Sequence, residues 1–374
     1  MTRFDTTAHP VSAQPANPKS VRFETLDSWR GICALLVAMM HFPAAGPLSE
    51  SPLVRNAYLF VDYFFVLSGF VIAHSYGSRI EDGRQGRDFL IKRVARVWPL
   101  HAVMLGLFVL LEVVRALTQF DSVPPWTGDR EPGGILTNLL MIQALGTHDS
   151  QTWNGPAWAV SAEMLCYVVF AGLMLFARRR LGLISLVIAV VGAFIVVSLA
   201  PRWMNTTWQF GWARALYGFF LGVLVYRLWA ARPAPGRGWM EAGLILLALV
   251  FVWLAVGPWT VLASLVFAPV VWVLAGDRGP VARALSWKPL VKLGDVSYGV
   301  YLIHMLLIVL LMIAARKLDL MAGPRVDLGP TWANDLLTAG FLVTVIALAV
   351  LSYRFIETPA RNAVGAWLKR RSAP

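Results

Sequence analysis

The stretch LGLISLVIAVVGAFIVVSLA, residues 181–200, carries no charged side chain and follows three consecutive arginines, Arg178, Arg179 and Arg180. As a helix rising about 1.5 Å per residue it would be about 30 Å long, the thickness of a bilayer's hydrocarbon core. A basic cluster at one end and an unbroken apolar run is the pattern of a membrane span with its basic end inside. Similar runs recur along the chain, most of them 17 to 23 residues long. Of the 374 residues 57% are apolar and only 14% charged, against about a quarter charged in soluble domains. The 16 Trp and 9 Tyr suit the two membrane interfaces, where amphipathic rings collect.

These patterns predict an all-α, polytopic membrane protein with about ten transmembrane helices. They fall near 26–45, 57–76, 97–116, 156–177, 181–200, 208–228, 239–256, 259–276, 293–315 and 332–354. Residues 135–145 are amphipathic but too short to span, so an interfacial or re-entrant helix is expected there. Of the 33 basic residues, 24 fall in the alternate segments that include both termini, seven in the opposite loops, and Arg30 and Arg214 inside spans. That alternation places both ends in the cytoplasm. Residues 1–22, polar and proline-containing, read as a disordered cytoplasmic tail with no cleaved signal peptide. Residues 23–362 read as the transmembrane domain and 363–374 as a basic cytoplasmic tail.

A net charge of +12 would suggest nucleic acid in a soluble protein. Here the basic residues sit in short clusters between spans, and no nucleic-acid partner is expected; membrane lipid is the surrounding partner. Cys33 and Cys166 both lie in apolar segments without metal-ligand or CxxC spacing, and read as small core residues. No metal is expected.

Ionisable groups at bilayer depth are costly and mark candidate sites. Arg30 and His41 are eleven residues apart, nearly in register on one helix face and separated by roughly 16 Å along the axis. Asp62, Glu163 and Arg214 fall in the outer halves of their spans, while Ser297, Tyr298, Tyr301 and His304 descend one helix from the inner side. Two layers result. Arg30, Arg93 and Arg96 form an inner basic layer suited to phosphate, which guanidinium binds bidentately. His41, Asp62, Glu163 and Arg214 form an outer titratable layer suited to proton transfer. Plainer readings stand beside these. Arg93 and Arg96 sit where any inner loop carries basic residues, Asp62 and Arg214 suit a structural ion pair, and His304 suits a packed histidine.

The chain resembles the acyltransferase-3 family of membrane acyltransferases from about Leu26 to Asn362. The resemblance rests on LDSWRGICALLVAMMHF, with Arg30 and His41 at the family's spacing, and on FVDYFFVLSGFVI at 60–72. FLIKRVARVWPL at 89–100 supplies Arg93 and Arg96, and PAWAVSAEMLCYVVF at 156–170 supplies Glu163. ARALYGFFLG at 213–222, LGDVSYGVYLIHMLL at 293–307 and YRFIETPARN at 353–362 complete the order. Two positions depart from the pattern. Phe60 replaces a glycine, and Met164 stands where a second carboxylate often follows Glu163.

The resemblance implies an acyl-CoA donor, often acetyl-CoA, used from the cytoplasmic side of the inner membrane by a multi-pass enzyme. The acceptor would be a hydroxyl of a saccharide or lipid-linked saccharide. It further implies that His41 and Arg30 are essential. On this expectation Arg93, Arg96, Arg30, Ser297 and Tyr298 bind the donor. His41 acts as general base or acyl carrier, oriented by Glu163 with Asp62 as the fallback. Asp62, Arg214, Tyr301 and His304 serve the substrate side. The readings from other classes are a proton-coupled transporter or flippase, whose paths are also lined by such residues, and a scaffold without chemistry of its own.

Overall fold

A computed structural model describes residues 22–120, 123–234, 237–276 and 279–372. The expected N-terminal tail lies, but for Arg22, outside the described residues. The described residues are 78% helical. Each of the ten segments marked by apolar runs holds a helix. In chain order they begin with α1 (Glu24–His41), α2 (Phe60–Tyr76), α3 (Gly83–Thr118) and the short α4 (Gly133–Leu139). Next come α5 (Trp158–Phe176), α6 (Leu181–Leu199), α7 (Gly211–Ala231) and α8 (Gly238–Leu254). The series ends with α9 (Ala263–Leu274), α10 (Lys288–Lys317), α11 (Thr331–Ser352) and α12 (Thr358–Ser372).

Seven helical runs among the described residues are long and apolar enough to cross a membrane, and the chain is a multi-pass membrane protein. Of the ten expected segments, the three outside those seven are α1, α7 and α8. α1 carries Glu24, Asp27 and Arg30, α7 carries Arg214 and Arg227, and α8 has 17 residues.

Several boundaries differ from the apolar runs for identifiable reasons. α3 begins at Gly83 rather than near 97, because the Asp82 carboxylate caps it, accepting from the Gln85 N–H at 2.8 Å. Its 36 residues make it about 54 Å long, so Arg93 and Arg96 stand on a helix and not in a loop. Pro99 lies inside α3; a membrane helix tolerates the lost N–H when neighbours re-satisfy the backbone. α1 stops at His41, just before Pro43. α4 ends at Leu139, and Met141 takes a left-handed φ of 54°, which breaks the helix expected over 135–145. α12 runs across the boundary at 362, joined to α11 by a π-helical turn, Tyr353–Glu357.

Two helix pairs set the frame of the molecule. α1 packs along α10 and α2 along α7. Both contacts depend on glycines that let backbones touch. A Cβ on Gly31 would lie 2.8 Å from the Gly294 nitrogen, and one on Gly69 would strike the Phe219 carbonyl. α6 lies on the outside of α7 and exposes Leu183, Val190 and Phe194, as lipid contact requires. Past α1, a two-stranded hairpin of β1 (Met321–Ala322) and β2 (Arg325–Val326) is tied to the chain by hydrogen bonds. The Val326 N–H donates to Pro43 O (2.8 Å) and the Ala45 N–H to Val326 O (3.0 Å). These bonds anchor the segment that follows His41.

Candidate active site

A cavity of about 620 Å³ is walled by α1, α2, α3, α5 and α10 and by the π-helical turn. Arg22, Arg30, Arg93, Arg96 and Arg361 all line it. They are not equivalent. Arg22 pairs with Asp27 (3.0 Å) and Asp295 (2.5 Å). Arg30 is fixed by Asp27 (3.0 Å) and donates to the Ser297 hydroxyl (2.9 Å) and the Gly294 carbonyl (2.8 Å). The glycine contact between α1 and α10 is what brings Arg30 within reach of both. Arg93 donates to the Tyr76 hydroxyl at 3.1 Å and lies over its ring, but its buried Nε has no partner among the described residues. Arg96 makes no hydrogen bond or ion pair among the described residues, and Arg361 lies over the Tyr353 ring. The unspent guanidinium capacity is therefore concentrated at Arg93, Arg96 and Arg361. Guanidinium groups with free N–H bonds on one cavity wall suit a phosphate-bearing ligand.

Higher on the wall, one Glu163 oxygen accepts from the Ser68 hydroxyl (2.5 Å) and from the Tyr167 hydroxyl (2.6 Å). Ser68 and Tyr167 are themselves 3.1 Å apart. Helical spacing puts Tyr167 one turn beyond Glu163 on α5, and α2 supplies Ser68. The other carboxylate oxygen has no hydrogen bond among the described residues. Tyr298 closes the α3 side, donating to the Val97 carbonyl at 2.6 Å. Tyr301 also lines the cavity and meets Phe64 edge-on, ring centroids 6.1 Å apart.

One turn past Tyr301 on α10 stands His304, fully buried, and it touches His41. His304 Nε2 lies 3.2 Å from His41 Nδ1, and the ring centroids are 5.0 Å apart. His41 is partly buried. The imidazole's side-chain neighbour is thus a second histidine. Neither Glu163, expected to orient it, nor Asp62, the fallback, forms that contact. Ser297 and His304 lie two turns apart on α10, so Arg30 and His41 meet the same partner helix at two polar points.

Asp62 and Arg214 pair with each other instead. The Arg214 Nε and Nη2 donate to the two Asp62 oxygens at 2.9 and 2.8 Å, and the side chains are 1% and 0% exposed. Arg214 also donates to the carbonyls of Tyr58 (2.7 Å) and Thr206 (3.3 Å) and lies over the Trp158 ring. Neither residue lines the cavity; the pair clamps α2 to α7. The pairing is the one that the plainer reading of these two residues called for. Among the described residues no group of three or more His, Cys, Asp or Glu is placed to hold a metal.

Arg361, Glu357 and Tyr167 were not singled out by the sequence, and Ser68 stood out only for its backbone, as a neighbour of a developing oxyanion. Glu357 accepts from Ser352 at 2.9 Å and shares the cavity wall with Arg361. Both belong to the YRFIETPARN block, where the break in helical register hides which residues face inward. Tyr167, four residues after Glu163, was visible as a helical neighbour.

Comparison with known proteins identifies the family. The sequence model of the acyltransferase-3 family, described as an acyltransferase domain, matches residues 23–354. "Protein 2 in picA locus" of Rhizobium radiobacter is 34% identical over 48% of this chain and 95% of its own length. "Acyltransferase MdmB" of Streptomyces mycarofaciens is 25% identical over 95% and 94% of the two chains. "Exopolysaccharide production protein ExoZ" of Rhizobium meliloti is 28% identical over 84% and 94%. No solved structure matches. A family match over most of the chain, together with a cavity that joins the family's Arg30 and Glu163 blocks, leads to one conclusion: the chain belongs to the acyltransferase-3 family of membrane acyltransferases.

Proposed function

We propose that this acyltransferase moves an acyl group, acetyl being the expected one, from acyl-CoA to a hydroxyl of a saccharide or lipid-linked saccharide. The observation that carries this reading is a cavity with free guanidinium groups that also reaches Tyr301, one helical turn before His304; the two histidines touch each other but neither lines the cavity. The nucleotide phosphates of the donor would rest on Arg93, Arg96 and Arg361. The pantetheine arm would pass Arg30, with Glu163, Ser68 and Tyr167 as polar partners along its path. Its thioester would reach the level of Tyr301, beyond which the His41 and His304 rings stand. The acceptor would approach His41 from the opposite side. A saccharide acceptor is suggested by relatives whose names refer to exopolysaccharide production and peptidoglycan O-acetylation.

In the direct route His41 removes the acceptor hydroxyl's proton as that oxygen attacks the thioester carbonyl. The carbon–sulfur bond breaks, and the proton passes from His41 to the departing thiolate, giving an ester and free CoA. A route through acyl-His41 uses the same residues in two steps. We also place ten spans in the membrane, with both termini cytoplasmic and the membrane itself the inner one. The helical occupancy of all ten segments and the alternation of basic residues support this. The cavity's arginine-rich end then faces the cytoplasm.

The test is CoA thiol release from acetyl-CoA by detergent-solubilised protein given surface-saccharide extract as acceptor. Acyl transfer needs no ion gradient, so release in detergent is expected. Its absence with folded protein would overturn the reading in favour of transport. Mass spectrometry of the extract identifies acyl group and acceptor together.

A further inference from the structure

We propose that His304 is the positioning residue for His41, fixing its tautomer and receiving the N–H of its protonated form in the place usually held by a carboxylate. The inference rests on the acyl-transfer reading above and deepens it.

The hydrogen positions follow from what each partner can do. A carbonyl oxygen only accepts. His304 Nδ1 lies 3.1 Å from the Val300 carbonyl, so that nitrogen carries the hydrogen. In a neutral imidazole the other nitrogen is then bare. That bare Nε2 faces His41 Nδ1 at 3.2 Å. His41 Nδ1 lies also 3.0 Å from the Val37 carbonyl, so it too carries a hydrogen, shared between the carbonyl and His304. The remaining nitrogen, His41 Nε2, is left with a lone pair and makes no hydrogen bond among the described residues. The opposite tautomer of His304 would set two N–H groups against each other. Two carbonyls one turn back on their own helices thus direct the pair toward one arrangement, with the base at the single nitrogen not engaged by protein.

When His41 Nε2 takes the hydroxyl proton, its Nδ1–H becomes part of an imidazolium and donates more strongly to His304 Nε2. This is the orienting and stabilising role of the aspartate in a Ser-His-Asp triad. The proton leaves again from Nε2 to the CoA thiolate, so His304 neither gains nor loses one. A neutral partner has a physical advantage at this depth, because a second buried carboxylate would be a costly charge in the membrane. The carboxylates that could have served are spent elsewhere, Glu163 on Ser68 and Tyr167, Asp62 on Arg214.

The experiment compares the full-length parent with His304→Gln, His304→Asn and His304→Leu, reading kcat and KM for acetyl-CoA and the thermal midpoint of each. Gln can set an amide oxygen where Nε2 stood, Asn is too short to reach, and Leu fills the space without an acceptor. Loss of an oriented general base is worth roughly 100-fold or more in rate. Expected is a fall of that size in kcat for Leu and Asn, with KM for acetyl-CoA changed less than about threefold, and recovery of at least about tenfold by Gln. Equal kcat in parent and Leu, or equal loss in Gln and Asn, overturns the inference. Where Leu does not fold, the Gln and Asn comparison decides alone. A parent that releases no CoA would instead overturn the acyl-transfer reading.

Discussion

Removing the charge from Asp62 separates a structural from a catalytic role for the one ion pair buried between α2 and α7. Asp62→Asn leaves the Arg214 guanidinium with two carbonyls and the Trp158 ring but no counter-charge, at 1% exposure. Breaking a buried pair from one side costs about 3–5 kcal/mol, most of it the uncompensated charge. At about 1.4 kcal/mol per tenfold, the folding equilibrium moves by roughly two to three and a half powers of ten. The double variant Asp62→Leu with Arg214→Met removes both charges and should be more stable than Asp62→Asn. Thermal midpoints of detergent-solubilised variants measure this, with CoA release assayed well below each midpoint. Expected are a depressed midpoint for Asp62→Asn, partial recovery in the double variant, and turnover in whatever fraction stays folded. A parental midpoint with abolished turnover would refute the structural assignment and return Asp62 to the chemistry.

Arg96→Gln removes a guanidinium unspent on protein. Loss of a charge-assisted hydrogen bond of about 1.5–3 kcal/mol should raise KM for acetyl-CoA by roughly ten- to a hundredfold, with kcat the less affected; steady-state kinetics check it. Tyr167→Phe deletes one of two donors to the same Glu163 oxygen. A fall in kcat/KM of about tenfold is expected, deepened when Ser68→Ala is added, since the two hydroxyls share one acceptor. Gly31→Val drives side-chain atoms into the Gly294 backbone, parting α1 from α10. Expected is joint loss of stability and turnover, read as a lower thermal midpoint and reduced CoA release by folded protein.

The helices were legible because lipid imposes a length and an apolar composition on each span, and every run so marked is helical. Their ends were less legible. The start of α3 depends on a cap at Asp82, and the end of α4 on a left-handed residue at Met141, neither of which hydropathy detects. In the site, the eleven-residue spacing of Arg30 and His41 showed that both share one face of α1, and the structure sets both against α10. Their partners were not legible, because contact across helices depends on crossing geometry. That is why the neighbour of His41 is His304 and not a carboxylate, and why Asp62 and Arg214 close on each other. Arg361 escaped notice because the π-helical turn before it shifts the register of everything after.

The most direct test of the proposal is His41→Ala, measured twice on the same purified protein, for acetyl-CoA binding and for CoA release. Expected is binding within about threefold of the parent, because the arginines proposed to hold the donor's phosphates are untouched, with release lowered by roughly 100-fold or more. Release at the parental rate, with binding intact, would take the imidazole out of the reaction and contradict the assignment of the chemistry to His41.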